Sequence, residues 1–449
     1  MIIPRNRRKD TGLAEVRARL IRQGTTRWIV VAFLLGVMLV LFVGLASGQN
    51  VPDARALGVR LTGETGPNNA ITDVEGVEVG HTTVIEGEGR LIVGEGPVRT
   101  GVTAILPRGR EAGDSVFAAW FSLNGNGEMT GTTWIEHSGI LEGPIMITNT
   151  HSVGIVRDAV IAWQRDRDPS FLWALPVVAE TYDGSLNDIN GFHVTAEHTF
   201  EALDGARGGP VEQGAVGGGT GMRCHGFKGG IGSASRLVGP YTIGILVQCN
   251  QGAREDLRIA GAPVGEMMPE PYACYADRSI PADARRSGVP WCSNGGDPQL
   301  ETGFTDAGGL LDPIPDGSGS IIIVLATDAP LLPNQIKRLV TRTTMGLARI
   351  GGMGYNGSGD IFIGFSTANR AAAAQRAESV RLEMLPNDQI NGLISASVHA
   401  TEEAILNAML AAGTLTGING YTVPALPQDR LREVMSRVNE AREGYRPQH

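Results

Sequence analysis

Aromatic residues are scarce: six Trp, seven Tyr and eleven Phe make up 5% of the 449 residues. Positive charge is outweighed, with 38 Lys and Arg against 47 Asp and Glu and a net charge of −9. That balance excludes the basic footprint of a nucleic-acid binder. Four cysteines are too few for a disulfide scaffold. HExxH, GxSxG and CxxC are absent, and the eight histidines show no metal-ligand spacing. Zincin, nucleophile-elbow and thioredoxin-type chemistries are therefore without a signature, and no metal or organic cofactor is implied. Glycine is abundant at 62 residues but has no fixed period, which excludes collagen. The 42% hydrophobic and 19% charged fractions exclude a disordered or fibrous chain. What remains is a globular protein with a sizeable core, as one large domain or two to three ordinary ones.

The N-terminus is a separate object. Residues 1–27 hold eight Lys or Arg against Asp10 and Glu15, and residues 28–48 carry no charge. A basic region before an apolar run of about 20 residues reads as a signal peptide or signal anchor; a buried core helix is the alternative. Ala46, Ser47 and Gly48 are small, but no clean A-x-A site stands there. The basic side stays cytoplasmic. Residues 49–449 are then exported, either periplasmic or tethered to the inner membrane through 28–48, and carry a net charge of −15. Export permits disulfides. Cys274 and Cys292 flank a polar, Pro-rich stretch and could close that loop; Cys224 and Cys249 sit in core-like segments. Four free buried thiols are the competing reading.

Beyond residue 48 short apolar segments alternate with glycine turns. Candidate strands are Gly143–Asn149, Leu175–Ala179, Tyr241–Cys249, Ser320–Ala326 and Ile361–Ser366. Apolar residues recur with helical spacing over Asn334–Ile350 and Leu393–Ala412, the second ending at a Gly413 cap. Residues 266–318 read as a long loop or insertion. Residues 420–449 look like a polar tail with one short amphipathic helix around Leu431–Arg442. The mixed order predicts layered α and β in one large domain.

Most candidate motifs fail on context. Gly352-x-Gly354-x-x-Gly357 follows a helix and precedes a strand, the wrong order for dinucleotide binding. The Gly217–Gly221 run could cradle an anion but reads better as a tight packing turn. His137, His151 and His193 lie in Gly/Asn-rich turns with no nucleophile beside them. The informative stretch is Asp316-Gly-Ser-Gly-Ser320-Ile-Ile-Ile-Val-Leu-Ala-Thr-Asp-Ala-Pro330, where a flexible loop meets a buried strand. The Ser320 hydroxyl could attack the preceding carbonyl, and Gly319 can take the strained backbone that attack requires. Cleavage would leave Ser320 as a new N-terminus, whose amine could act as base beside its own hydroxyl. Taken alone, Gly-Ser before a strand is more often a mere turn.

That stretch resembles the self-cleaving site of the L-aminopeptidase D-Ala-esterase/amidase family, which includes the β-peptidyl aminopeptidases. Further matches are Asn69-Ala-Ile-Thr-Asp-Val-Glu-Gly-Val-Glu-Val-Gly-His81, Asn124-Gly-Asn-Gly-Glu-Met-Thr-Gly131, Glu180-Thr-Tyr-Asp-Gly-Ser-Leu-Asn-Asp188, Leu246-Val-Gln-Cys-Asn250 and Asn356-Gly-Ser-Gly-Asp360. The resemblance spans about residues 60–415. It implies an αββα sandwich, related to that of the ornithine acetyltransferases. It also implies a chain cut between Gly319 and Ser320 into pieces 49–319 and 320–449, and a homotetramer. Ser320 would be the nucleophile, Ser358 would relay protons to it or orient it, and Asp360 would hold Ser358 where the best-known members carry Glu. Asn250 would donate to the oxyanion with help from Tyr182. Glu180 would bind the substrate's amino group, and Trp173 would form a pocket wall. The implied substrates are short peptides, amino-acid amides or esters. Two rivals stand: an acyltransferase, which in that relative uses a threonine nucleophile, and an inactive membrane-tethered binding protein on the same fold.

Overall fold

Strand Ser320–Thr327 is apolar at nearly every position, the pattern of a strand covered on both faces. In the computed structural model that is what surrounds it. The described residues are 53–111, 115–286, 288–292, 319–370 and 379–444. The chain divides into Met1–Asn50 and Val51–His449. The first unit, with the basic region 1–27 and the apolar run 28–48, lies outside the described residues. Among the described residues no helix is long and apolar enough to cross a membrane.

The second unit is built on two sheets. One contains β1 (Glu78–Glu86), β2 (Val98–Leu106), β5 (Ile145–Asn149) and β6 (Val177–Thr181), in that spatial order. The other has the order β4-β3-β10-β9-β8-β7, from β3 (Val116–Gly125), β4 (Ile140–Leu141), β7 (Gly230–Val238), β8 (Tyr241–Asn250), β9 (Ser320–Thr327) and β10 (Gly359–Ser366). The inner faces meet in one apolar cluster: Val79, Ile105, Ile147 and Ala179 from the first sheet, Leu246, Ile322, Val324 and Ile363 from the second. The first sheet's outer face packs on α1 (Val153–Arg167) and α2 (Ala196–Asp204). The second sheet's outer face packs on α3 (Pro333–Arg349) and α4 (Asn391–Leu410). The result is helices, sheet, sheet, helices. Alternate residues of β9 serve the two faces, Ile321, Ile323 and Leu325 toward the helices and Ile322, Val324 and Ala326 toward the other sheet, as the period of two demands. β5 to β6 and β9 to β10 are parallel pairs, each joined by a helical crossover.

The five candidate strands and both helices are present, with bounds shifted by a few residues. Helix α4 stops at Leu410, where the Ala411 N–H closes on the Asn407 and Met409 carbonyls, so Gly413 is not its cap. Within 266–318, the described residues include a short strand, Cys274–Tyr275, paired with Tyr421–Val423, which also pairs with Leu415–Thr416. The helix expected around Leu431–Arg442 is present and longer, but the segment 420–449 is not a tail. After Tyr421–Val423 the chain forms α5 (Gln428–Gly444), whose Leu431, Val434 and Met435 are buried in the helix-side core; one apolar stripe was enough to dock it. Cys274 and Cys292 are bonded as expected. Cys224 and Cys249 form a second disulfide, so the free-thiol reading fails for all four.

A buried charge cluster ties the helix layer to the sheet. Glu403 on α4 accepts from Arg236 of β7 at 2.5 Å and from Arg55 at 2.5 Å, and Asn69 donates to it at 2.7 Å. Burial alone would raise the Glu403 carboxyl. The hydrogen bond from Arg55 and the charges of Arg236 and Arg55 outweigh burial and hold it below the usual carboxylate range. Its stabilisation is therefore present above the unfolded-state value of about 4.3 and is lost as pH falls through the folded-state value. Glu403→Ala leaves Arg236 buried without its partner and should cost about 3 kcal/mol or more of unfolding free energy near pH 7. Urea denaturation measures this, and a loss under about 1 kcal/mol would contradict the assignment.

Candidate active site

Strand register assembles the site. β9 begins at Ser320, and β10 runs parallel beside it with Asp360 opposite Ile321. The turn before β10 therefore reaches the same edge, where the Gly359 N–H donates to Ser320 Oγ at 3.0 Å. On the other side β8 is antiparallel and ends at Asn250, opposite Ser320. β3 ends beside β10 with Asn124 opposite Asp360, and the register slips between Asp360 and Ile361, a bulge of the kind that re-aims a strand end. From the facing sheet, β6 brings Glu180 and the residue pair beyond it, including Tyr182. Glu180, Tyr182, Asn250, Gly319 and Ser320 line one cavity of 400 Å³.

Gly319 is confined on two counts. Its φ is +150°, and a Cβ there would lie 2.1 Å from the Asn250 carbonyl oxygen; no other residue fits. Ser320 itself is 7% exposed. Ser358 is buried with its Oγ 2.6 Å from Asp360 Oδ2 and 2.7 Å from the Tyr355 carbonyl, so the shorter Asp side chain does reach the serine. Burial pushes the Asp360 carboxyl up to about 6, against the hydrogen bonds from Ser358 and the Ile321 N–H. Asn250 is clamped: Oδ1 accepts from the Arg223 N–H at 2.8 Å and Nδ2 donates to the Tyr182 carbonyl at 2.9 Å. One amide N–H remains to serve an oxyanion. Burial pushes the Tyr182 phenol up, which keeps it a neutral donor. Glu180 accepts from the Glu128 N–H at 2.9 Å and from the Thr150 hydroxyl. Burial raises its carboxyl, against those two bonds.

Trp173 does not line this cavity. It is 57% exposed, stands edge-on to Trp134 at 6.4 Å, and lines a separate cleft of 710 Å³ with Trp163, Phe171 and Leu172. It precedes β6, whose far end carries Glu180, and the strand holds the two ends apart by about 3.3 Å per residue. The three histidines stay outside the cavity lining. His137 stacks on Trp134 at 6.3 Å, His151 on Phe192 at 6.1 Å, and His193 pairs with Asp188 at 2.9 Å. The turn Gly217–Gly219 is a packing feature: a Cβ on Gly218 would meet Gln248 Oε1 at 2.3 Å and the Ile147 carbonyl at 2.7 Å, so it holds the two sheets close and has no room for an anion. Among the described residues no cluster of His, Cys, Asp or Glu is placed to hold a metal ion.

Two asparagines have roles their motif did not reveal. Asn124 Nδ2 reaches the carbonyls of Tyr355, Asn356 and Ser358 at 3.0, 3.2 and 2.5 Å, and Asn126 Nδ2 donates to the Gly357 carbonyl at 2.9 Å. Together they clamp the turn that presents Ser358. The repeated Asn-Gly pattern of 124–127 was the available signal.

A family model described as peptidase family S58 matches residues 69–423. The chain belongs to peptidase family S58, and it is an aminopeptidase. The β-peptidyl aminopeptidase BapA of Sphingosinicella microcystinivorans is 50% identical to this S58 chain over 410 residues, 90% of this chain and 96% of that protein. Among solved structures, the L-aminopeptidase D-Ala-esterase/amidase of Ochrobactrum anthropi, described as a variant of the Ntn hydrolase fold, is 43% identical with a TM-score of 0.72, covering 86% of this chain and 99% of that one. A β-aminopeptidase from Burkholderia sp. is 43% identical with a TM-score of 0.70, covering 88% of this chain and 99% of its own.

The carboxyl of Asp360 fixes a pH expectation. Below about pH 6 it is protonated and no longer holds the Ser358 hydroxyl as an anion, so kcat/KM should climb as pH passes upward through about 6. Asp360→Asn should remove the added fall centred near pH 6, leaving any limb set by another group, and lower the rate on the order of 10²-fold. A wild-type profile that does not steepen below about pH 6, or an Asn variant that steepens there in the same way, would count against this role.

Proposed function

We propose that this aminopeptidase is a self-processing hydrolase whose mature nucleophile is the N-terminal Ser320. The observation that carries the proposal is the meeting of Gly319-Ser320, Asn250 and the Gly359 N–H at the wall of a cavity that also holds Glu180. In the precursor, Ser320 Oγ attacks the Gly319 carbonyl carbon. The C–N bond breaks, leaving an ester on Oγ and a free amine on Ser320, and water then hydrolyses the ester and releases the Gly319 carboxylate. Strands β8 and β9 come from opposite sides of the cut yet pair along their whole length, which would keep pieces 49–319 and 320–449 together.

In the mature enzyme the Ser320 amine, with an ordinary pKa of about 7.7–8, takes the Oγ proton. Oγ adds to the substrate carbonyl, and the ammonium then passes the proton to the leaving amine. Water repeats the sequence to free the acyl group. Ser358, held by Asp360, positions the Ser320 hydroxyl. The free N–H of Asn250 and the Tyr182 hydroxyl donate to the oxyanion, a contribution of roughly 10²–10³ in rate for a donor of this kind. Glu180 pairs with the substrate's ammonium, which makes a free N-terminus the determinant of binding. Substrates would be short peptides, amides or esters. The names of the Sphingosinicella and Burkholderia relatives support an N-terminal β-amino acid residue as one accepted class. The basic and apolar leader and the two disulfides support work outside the cytoplasm, and the family likeness supports a homotetramer.

Intact mass and a denaturing gel of the purified protein test the central step. Wild type should give two pieces, the second beginning at Ser320, while Ser320→Ala stays whole and inactive. A single uncut chain in both overturns the self-processing mechanism.

A further inference from the structure

We propose that the cavity contains a carboxylate-binding subsite, formed by Arg223 with Arg286 and Tyr421 behind it, which holds the free C-terminus of a dipeptide-sized substrate. The proposal rests on the functional reading above, which places the substrate's amine at Glu180. The cavity is lined by acidic side chains, Glu180 and Glu128, and by one cation, Arg223. The Glu128 N–H donates to Glu180, so the two acidic residues are neighbours. Arg223 is anchored elsewhere: its N–H donates to Asn250 Oδ1, beside the oxyanion donor and Ser320. A substrate with its amine at Glu180 and its carbonyl at Ser320 has its leaving group still to place, and Arg223 is the charged side chain left for it.

The surroundings of Arg223 are built for an anion that the described residues do not supply. Nη1 donates to the Tyr421 hydroxyl at 2.8 Å, which leaves the other donors of the fork. The Arg286 guanidinium lies 5.1 Å from the centre of the Tyr421 ring, and its backbone N–H donates to the Tyr275 hydroxyl at 2.6 Å. The titratable groups that act on Arg286 are Tyr421, Arg223, Tyr275 and Tyr182, and burial lowers its pKa. Among the described residues neither arginine forms an ion pair with a carboxylate. Two partly buried guanidinium groups set against the Tyr421 side chain and close enough for their like charges to interact are a costly arrangement that a bound carboxylate relieves. Both are held firmly. Arg286 lies inside the loop closed by Cys274–Cys292, and Tyr421 lies on the strand paired with Cys274–Tyr275. A cavity of 400 Å³ is within the range that takes a small ligand.

The test compares two substrates that differ only at the far end, β-alanyl-alanine as the free acid and as its C-terminal amide, on the full processed protein. Wild type should favour the acid by about tenfold or more in kcat/KM. Arg223→Gln should bring the ratio to within about twofold, with the change falling on KM for the acid, and Arg223→Lys should retain part of the preference. Arg286→Gln, which removes the charge behind the subsite, should lower the ratio about threefold. It serves if Arg223→Gln fails to process. A wild type that cuts the amide without preferring the acid, or a ratio unchanged in both Gln variants, overturns the subsite alone. A wild type that cuts neither substrate overturns the functional reading and the subsite with it.

Discussion

The pairing of β9 with β10, Ile321 against Asp360, is the constraint from which the site follows. A slip of one residue would turn every side chain of β9 to the opposite face, and with both faces buried among different neighbours that slip is closed off. The register fixes where the first residue of the strand stands, and so fixes the contact between Ser320 Oγ and the Gly359 N–H. Asn250 and Asn124 come to the same edge by the same logic, as the last and the last-but-one residues of strands antiparallel to β9 and β10. The geometry of the candidate site is a property of strand ends, positioned by the burial of strand middles.

The facing sheet, with β6, supplies what the sheet of β9 cannot. Glu180 stands at the end of β6, and its distance from Ser320 is governed by the apolar layer between the sheets, about 10 Å thick in such packings. The glycine turn at 217–219 lets the layers approach without a side chain intervening. Glu180 and Ser320, the proposed reader of the substrate's amine and the proposed nucleophile, thus sit on separate sheets joined through an apolar core.

The sequence carried the middle of this structure better than its margins. Unbroken apolar runs such as Ile321–Ala326 have one good interpretation, and both long helices announced themselves by spacing. Ser320, Ser358, Asp360, Asn250, Tyr182 and Glu180 were legible through motif order, and the fold does bring them to one edge. Trp173 was placed by counting back along the chain from Glu180, which ignores that an extended strand carries its two ends apart. Asn124 and Arg223 work through backbone contacts made only after folding; the Asn-Gly repeat of 124–127 is the one local sign of the first. Cys224 and Cys249 are 25 residues apart, brought together by the hairpin of β7 and β8. The C-terminal segment reads as polar because only Leu431, Val434 and Met435 of α5 are buried.

Gly319 belongs to the cavity wall, pressed against the Asn250 carbonyl. With self-processing, the newly made chain is then a latent enzyme whose own backbone fills the place a substrate must take. Its maturation would be a single intramolecular turnover, first-order and indifferent to dilution. Under that proposal the act that frees the amine of Ser320 would also open the chamber, so no molecule would hold an armed nucleophile and a closed door at once.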